Sequence, residues 1–184
     1  MDYIIFYTLN WWSIIFRLSM IFKNWYILIL LISLISISTA FVAEFIFNLE
    51  PCKLCLKQRH PYYFMIFISI LITFVPVSYK LLGYLLIQLS TIYGLFYAIW
   101  HVGVENNLLS GPSGCSAGLE ISENISNLKE QILSKQIISC DEVIWSFFGI
   151  SAASINTIVL LFIFIINAIY IYIHYDKKKE TKQI

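Results

Sequence analysis

Charge is what this sequence has least of. Only 12% of its 184 residues are Asp, Glu, Lys or Arg, against 59% hydrophobic residues, and the mean hydropathy is +0.78. A soluble domain of this length would need far more polar surface, so the composition points to an integral membrane protein. Twelve basic and eleven acidic residues leave a net charge of +1, too small a field to concentrate nucleic acid. Seven Gly and four Pro exclude collagen-like or low-complexity sequence. An aromatic content of 17% is foreign to disordered chains. No internal repeat is visible, and the polar stretches are too short to form a separate soluble domain.

What is abundant is the long apolar run. A spanning helix needs about 20 apolar residues, because hydrocarbon offers no water to backbone groups. Such stretches predict four spans, at about 25–47, 62–77, 81–103 and 150–174. The last sits inside an uncharged run from Val143 to Tyr175 that exceeds one ordinary span. It is therefore divided, with Val143 to Phe148 at the interface and Gly149 opening the final helix. The expected fold is an all-α integral membrane protein, a four-transmembrane-helix bundle with two outward loops at about 48–61 and 104–149. The membrane domain covers 25–175. Residues 1–24 read as an N-terminal cytoplasmic or interfacial segment, with a cleaved signal as the rival reading.

Basic residues collect on the cytoplasmic side. The tail at 176–184, with Lys177, Lys178, Lys179 and Lys182, is the clearest such signal, and four spans then put both termini inside. The turn at Ser78 to Lys80 would face the same way. Lys53, Lys57 and Arg59 break the pattern by crowding the first outer loop, which suggests a local task there. In the second loop, Ile121, Ile125, Leu128 and Ile132 recur at helical spacing and predict a short surface helix over 122–134. Glu44 and Glu105 fall at span ends, where partial hydration is expected.

All four cysteines fall in the outer loops. Cys52 and Cys55 form a Cys-x-x-Cys in the first, and Cys115 and Cys140 lie near the ends of the second. Four cysteines allow three pairings; the obvious one joins Cys52 to Cys55 and Cys115 to Cys140, in an oxidising compartment. Closing the longer loop would contribute roughly 3 to 4 kcal/mol in the chain-entropy account, whereas a link over two residues constrains little. The short pair is therefore better suited to chemistry. Basic neighbours lower a thiol pKa, and the thiolate is the nucleophile; Lys53, Lys57 and Arg59 would supply that environment. Were a helix to open just after Cys52, Cys55 and Arg59 would share a face. Zinc binding fits the thiol count but not the spacing of the second pair, and no metal is expected. Covalent haem attachment would need His where Leu56 stands. Structural disulfides on a membrane scaffold remain an alternative.

The string Glu50-Pro51-Cys52-Lys53-Leu54-Cys55-Leu56-Lys57-Gln58-Arg59-His60-Pro61-Tyr62 resembles the signature of the bacterial inner-membrane DsbB family. Trp100-His101-Val102-Gly103-Val104-Glu105, Gly111-Pro112, Cys115 and Cys140-Asp141-Glu142-Val143 are similar to its second loop, with Trp145 and Phe148-Gly149-Ile150-Ser151 beyond. The likeness runs over about residues 25–170. It implies a protein-dithiol:quinone oxidoreductase that reoxidises a periplasmic DsbA-like thioredoxin-fold oxidase, with ubiquinone or menaquinone as electron acceptor. Glutathione pools are too reducing to recharge so strong an oxidant. By the same resemblance, DsbA attacks the Cys115–Cys140 disulfide at Cys115. Cys140 then exchanges with Cys52, and Cys55 acts on the quinone. Arg59 stabilises the thiolate and the developing oxyanion, Gln58 positions the region, and His101 donates a hydrogen bond or proton. The implied setting is the bacterial inner membrane, with a monomer, periplasmic redox loops and no nucleic acid. A paralogue serving a dedicated thiol oxidase and a vitamin-K-epoxide-reductase-like protein are rival readings; the longer N-terminal segment and the loop lysines leave the partner open.

Overall fold

The computed structural model describes residues 24–112 and 139–180, omitting the side chains of Val77, Ser78 and 176–180. The N-terminal segment, the expected surface helix at 122–134 and Cys115 lie outside the described residues. Four helices dominate: α1 (Trp25–Phe45), α2 (Lys53–Phe74), α3 (Val77–Glu105) and α4 (Ala152–Glu180). A short antiparallel hairpin, β1 (Ser146–Phe147) and β2 (Ile150–Ser151), precedes α4. Three helical stretches are long and apolar enough to cross a membrane: Trp25–Phe45, Tyr79–Glu105 and Ala152–Tyr175. The fourth helix, α2, carries Lys53, Lys57, Arg59 and His60 in its first turns.

Residues with little helix-breaking content run between clear stops. The first helix ends where Asn48 turns left-handed at φ 53° and the Leu49 N–H returns to the Ala43 carbonyl at 3.1 Å, a capping geometry that satisfies a terminal carbonyl. Between α2 and α3, Val75 is extended ahead of Pro76, as a residue before proline must be. The turn thus sits at Val75–Pro76, and Lys80 lies within α3 rather than in a turn of its own. α3 stops with Asn107 at φ 56° and the Leu108 N–H on the Gly103 carbonyl at 2.8 Å.

Two boundaries differ from expectation. α2 starts at Lys53, so the Cys-x-x-Cys occupies a helix N-terminus rather than a loop; Cys52 can cap it with its own sulfur. The last helix starts at Ala152, not Gly149. Phe148 and Gly149 both take positive φ, 50° and 80°, the conformation of a tight two-residue hairpin turn. Phe148 is 91% exposed there, and its ring meets that of Phe147 edge-on at 4.6 Å.

The packed pairs are α1–α2, α2–α3 and α3–α4. Their shared core contains Ile29, Met65, Ile72, Tyr84, Ile87, Leu160 and Ile163. Apolar residues on the other helix faces, such as Ile35, Phe67, Leu89 and Ile158, are more than half exposed, a surface that suits acyl chains rather than water. Side-chain amides join α3 to α4: Asn167 donates to the Tyr84 carbonyl (3.0 Å) and to Gln88 (2.7 Å), and Gln88 donates to the Phe164 carbonyl (3.3 Å). Interhelical hydrogen bonds of this kind hold membrane helices together where hydrophobicity cannot.

Pro61 lies inside α2 and cannot donate to the preceding turn; its own carbonyl accepts from Ser90 of α3 at 3.1 Å. Opposite the ring stands Gly94. A Cβ there would come within 2.9 Å of Pro61 Cγ and 3.1 Å of Leu160 Cδ1, and a proline ring cannot swing aside. Gly94→Ala is therefore expected to destabilise the bundle by about 1 to 3 kcal/mol. Thermal unfolding of the purified protein in detergent measures this; an unchanged midpoint would refute the close approach.

Candidate redox site

The N-terminus of α2 creates the site. Cys52 is the helix N-cap, with φ −68° and ψ 168°, and its sulfur accepts the Cys55 N–H at 3.2 Å. This is the role a serine oxygen usually plays, here filled by sulfur. The positive end of the helix dipole favours an anion at that position. One turn into the helix, Cys55 brings its sulfur to 2.8 Å from that of Cys52. Both are free thiols, so the expected Cys52–Cys55 disulfide is not formed in this structure. Cys140 is disulfide-bonded, its partner lying outside the described residues. Cys140 is fully buried and packs in one cluster with Cys52, Leu54 and Val104.

The thiol pair is strongly polarised. The hydrogen bond from the Cys55 thiol lowers the Cys52 pKa to about 5, helped by His101 and the Cys55 N–H and opposed by burial. Cys55 is pushed up, because it holds the shared proton against the Cys52 thiolate and is itself desolvated. The influences on Cys52 come from Cys55, His101 and burial. Lys53 and Lys57 are exposed, and Arg59 is committed to Glu44 through an ion pair, with its guanidinium 5.5 Å from the centroid of Phe41. The donors to the thiolate are local groups, because a charge at the far end of a flexible side chain is better matched by a carboxylate nearby.

His101 of α3 points Nε2 at Cys52 Sγ, 3.6 Å away, and the same nitrogen lies 3.9 Å from Glu105 Oε1. The Glu105 side chain is only 7% exposed, contrary to the hydrated span end expected for it, and its other oxygen accepts from Ser151 at 2.6 Å. Gln58 donates to His101 Nδ1 at 2.9 Å and accepts from Asn156 Nδ2 at 2.8 Å. Asn156 in turn accepts from the Tyr62 hydroxyl. Asn156, Tyr62, Glu44 and Glu105 were not among the sequence candidates. Tyr62 and Glu105 close two of the motif strings, while Glu44 and Asn156 had only their polarity within or at the end of an apolar run, which marks functional positions in membrane helices.

Beside the pair, a cavity of about 310 Å³ is walled by Ser36, Thr39, Ala40 and Ala43 of α1 and by Ala152, Ala153, Asn156 and Val159 of α4. Cys55, Gln58, Arg59, Tyr62, His101 and Glu105 contribute its polar lining. Its volume is at the lower end of the range for small-molecule sites, and apolar walls with few convergent polar groups are their usual make-up. The residues thus fit a flat apolar ring carrying carbonyl oxygens. Cys52, Cys55 and His101 place their ligand atoms within 4.8 Å of one another, close enough to gather a thiophilic cation. The 2.8 Å sulfur separation is shorter than the roughly 3.7 Å that two thiolates keep on one tetrahedral zinc.

A dithiol at a helix N-terminus, in an apolar helical bundle and packed beside Cys140, defines a membrane thiol-redox protein. The sequence pattern of the family described as "Disulfide bond formation protein DsbB" matches residues 22–170, and the chain belongs to that family. It is accordingly a membrane oxidoreductase of disulfide-bond formation. It is also 30% identical over 132 residues, 71% of this chain and 76% of the other, to "Uncharacterized protein RP370" of Rickettsia prowazekii (strain Madrid E). No solved structure matches significantly.

The polarity of the pair yields a measurable asymmetry. In the reduced protein, Cys52 should alkylate faster than Cys55, with a rate that halves only near pH 5. Cys55→Ala removes the largest lowering influence, so the Cys52 midpoint should climb toward the ordinary thiol range, near 8.5. Mass spectrometry of the alkylated peptides across pH reads both; a midpoint indifferent to Cys55 would contradict the shared proton.

Proposed function

We propose that this protein is a dithiol:quinone oxidoreductase that reoxidises a DsbA-like thiol oxidase and passes the electrons, through its two cysteine pairs, to ubiquinone or menaquinone. One observation carries the reading: Cys52 and Cys55 form a polarised free dithiol whose Cys55 lines an apolar cavity, with Cys140 packed in one cluster with them from the second loop. The supporting topology is four spans, with α2 as the second, both termini cytoplasmic and both cysteine pairs on the periplasmic side of a bacterial inner membrane. The working unit is a monomer.

The chemistry balances as follows. A partner thiolate attacks Cys115 of the Cys115–Cys140 disulfide, forming a mixed disulfide and releasing Cys140 as a thiolate. The second partner thiol then attacks its neighbour's sulfur in that bond, leaving oxidised partner and reduced Cys115 and Cys140. Cys140 attacks Cys52 of the oxidised short pair and frees Cys55; attack by Cys115 on Cys140 then returns the second pair to a disulfide and leaves Cys52 and Cys55 reduced. Oxidation of this dithiol gives up two electrons and two protons, and a quinone accepts both and becomes a quinol. Arg59, which can lean from Glu44 into the cavity it already lines, would hold the acceptor oxygen. His101 and Glu105 lie where a proton from the pair can be held.

Purified protein given reduced DsbA-like partner should reduce ubiquinone or menaquinone with partner oxidation in equal amount. Cys55→Ala should abolish turnover, and Arg59→Gln should lower it by about 10²-fold, the scale of losing one preorganised charge stabiliser. Full turnover by the Cys55→Ala variant would overturn the assignment.

A further inference from the structure

The orientation of His101 is set by a polar chain whose direction can be read from a group that cannot reverse. Gln58 Nε2 lies 3.4 Å from the Tyr97 carbonyl oxygen, and a backbone carbonyl only accepts. That contact fixes the end of the Gln58 amide turned toward Tyr97 and His101 as its NH₂. Gln58 Oε1 is then the end facing Asn156, which must donate with Nδ2 and turn its own oxygen to the Tyr62 hydroxyl. On the other side, His101 Nδ1 must accept from Gln58, so in the neutral ring the proton resides on Nε2. Nε2 faces Cys52 Sγ.

We propose that Asn156 is a positioning residue: by holding the Gln58 amide against the Tyr97 carbonyl it keeps His101 in the Nε2–H tautomer, so that Cys52 meets a hydrogen-bond donor and not a lone pair. The consequence matters for a thiol that must leave as a thiolate. With the opposite tautomer, Nε2 would be an acceptor, and the Cys52 sulfur would have to keep its proton to satisfy it. Other titratable groups face the pair. Glu105 of α3 approaches the same Nε2 at 3.9 Å, Cys55 of α2 shares the proton, and Arg59 is held by Glu44 of α1. The Cys140 sulfur, packed from the second loop, is disulfide-bonded and does not titrate. Of these, Glu105 as an acceptor near Nε2 favours a proton on the same nitrogen, and the hydrogen bond to Nδ1 is the contribution that Gln58 and Asn156 control. The inference rests on the reading of Cys52–Cys55 as the redox couple only for its purpose; its test needs neither quinone nor protein partner.

The experiment is nitrogen-15 spectroscopy of His101 in the full-length reduced protein, labelled at histidine and assigned with His60→Asn and His174→Asn variants. A bare Nδ1 and a protonated Nε2 are expected in the wild type. In Asn156→Leu, Gln58 Oε1 loses its donor inside the bundle, and the amide is then held by the 3.4 Å contact to the Tyr97 carbonyl alone, so the flipped amide that accepts from Nδ1–H gains population. The Nδ1-protonated ring should then be populated, and the pH midpoint of Cys52 alkylation should rise by about one unit, the scale of one hydrogen bond to a charged group. A protonated Nδ1 in the wild type overturns the proposal even if the variant does not fold. So does a folded Asn156→Leu protein with an unchanged ring and an unchanged Cys52 midpoint. Loss of quinone reduction with the expected spectra would instead count against the proposed function alone.

Discussion

A thiolate withdrawn from water needs replacements for the water it lost, and this requirement organises the cysteine-bearing end of the molecule. Burial alone would raise the pKa of Cys52. The helix N-terminus, the Cys55 N–H at 3.2 Å, the Cys55 thiol at 2.8 Å and His101 at 3.6 Å outweigh it. Every one of these donors comes from α2 or α3, so the alignment of two helices becomes the condition for the chemistry. The close passage of Gly94 by Pro61 fixes that alignment two turns deeper in the bundle. Packing far from the sulfurs therefore bears directly on their reactivity.

The same bundle pays unusual attention to its amides. Gln58, Gln88, Asn156 and Asn167 each bond across helices, and hydrocarbon offers such groups no alternative partner. At the inner level the amides tie α3 to α4. Near the cysteines they run instead from Tyr62 to His101 and end on a titratable ring. One type of interaction thus serves adhesion at one depth and electrostatic control at another.

Much of this was legible in the sequence, and the illegible part has a common cause. Helix-length apolar runs announced the bundle, because satisfying backbone groups in lipid is a one-dimensional constraint that any reading frame of hydropathy detects. The cysteine pairs stood out because thiols are scarce here and fell between those runs. Local geometry was harder. A helix opening just after Cys52 was one option, but its sulfur as the N-cap was not anticipated, since sulfur is not a usual cap and the lysines beside it suggested a polar loop. Phe148 at positive φ was equally hidden, because such turns ordinarily advertise themselves with Asn or Asp. Sequence proximity gave Lys53, Lys57 and Arg59 to the thiols, while the fold pairs Arg59 with Glu44, fifteen residues away. Partnerships such as Gln58 with Asn156, separated by 98 positions, exist only once helices are placed.

The cavity lies between α1 and α4, helices that meet where Trp25 touches Phe162 at 6.4 Å and are not otherwise among the closely packed pairs. Its walls belong to segments that face acyl chains. For an acceptor that enters between those helices, as the proposed function has it, the relevant abundance is the one it attains by partitioning into the bilayer. On that reading, the medium sorts candidates before any contact is made.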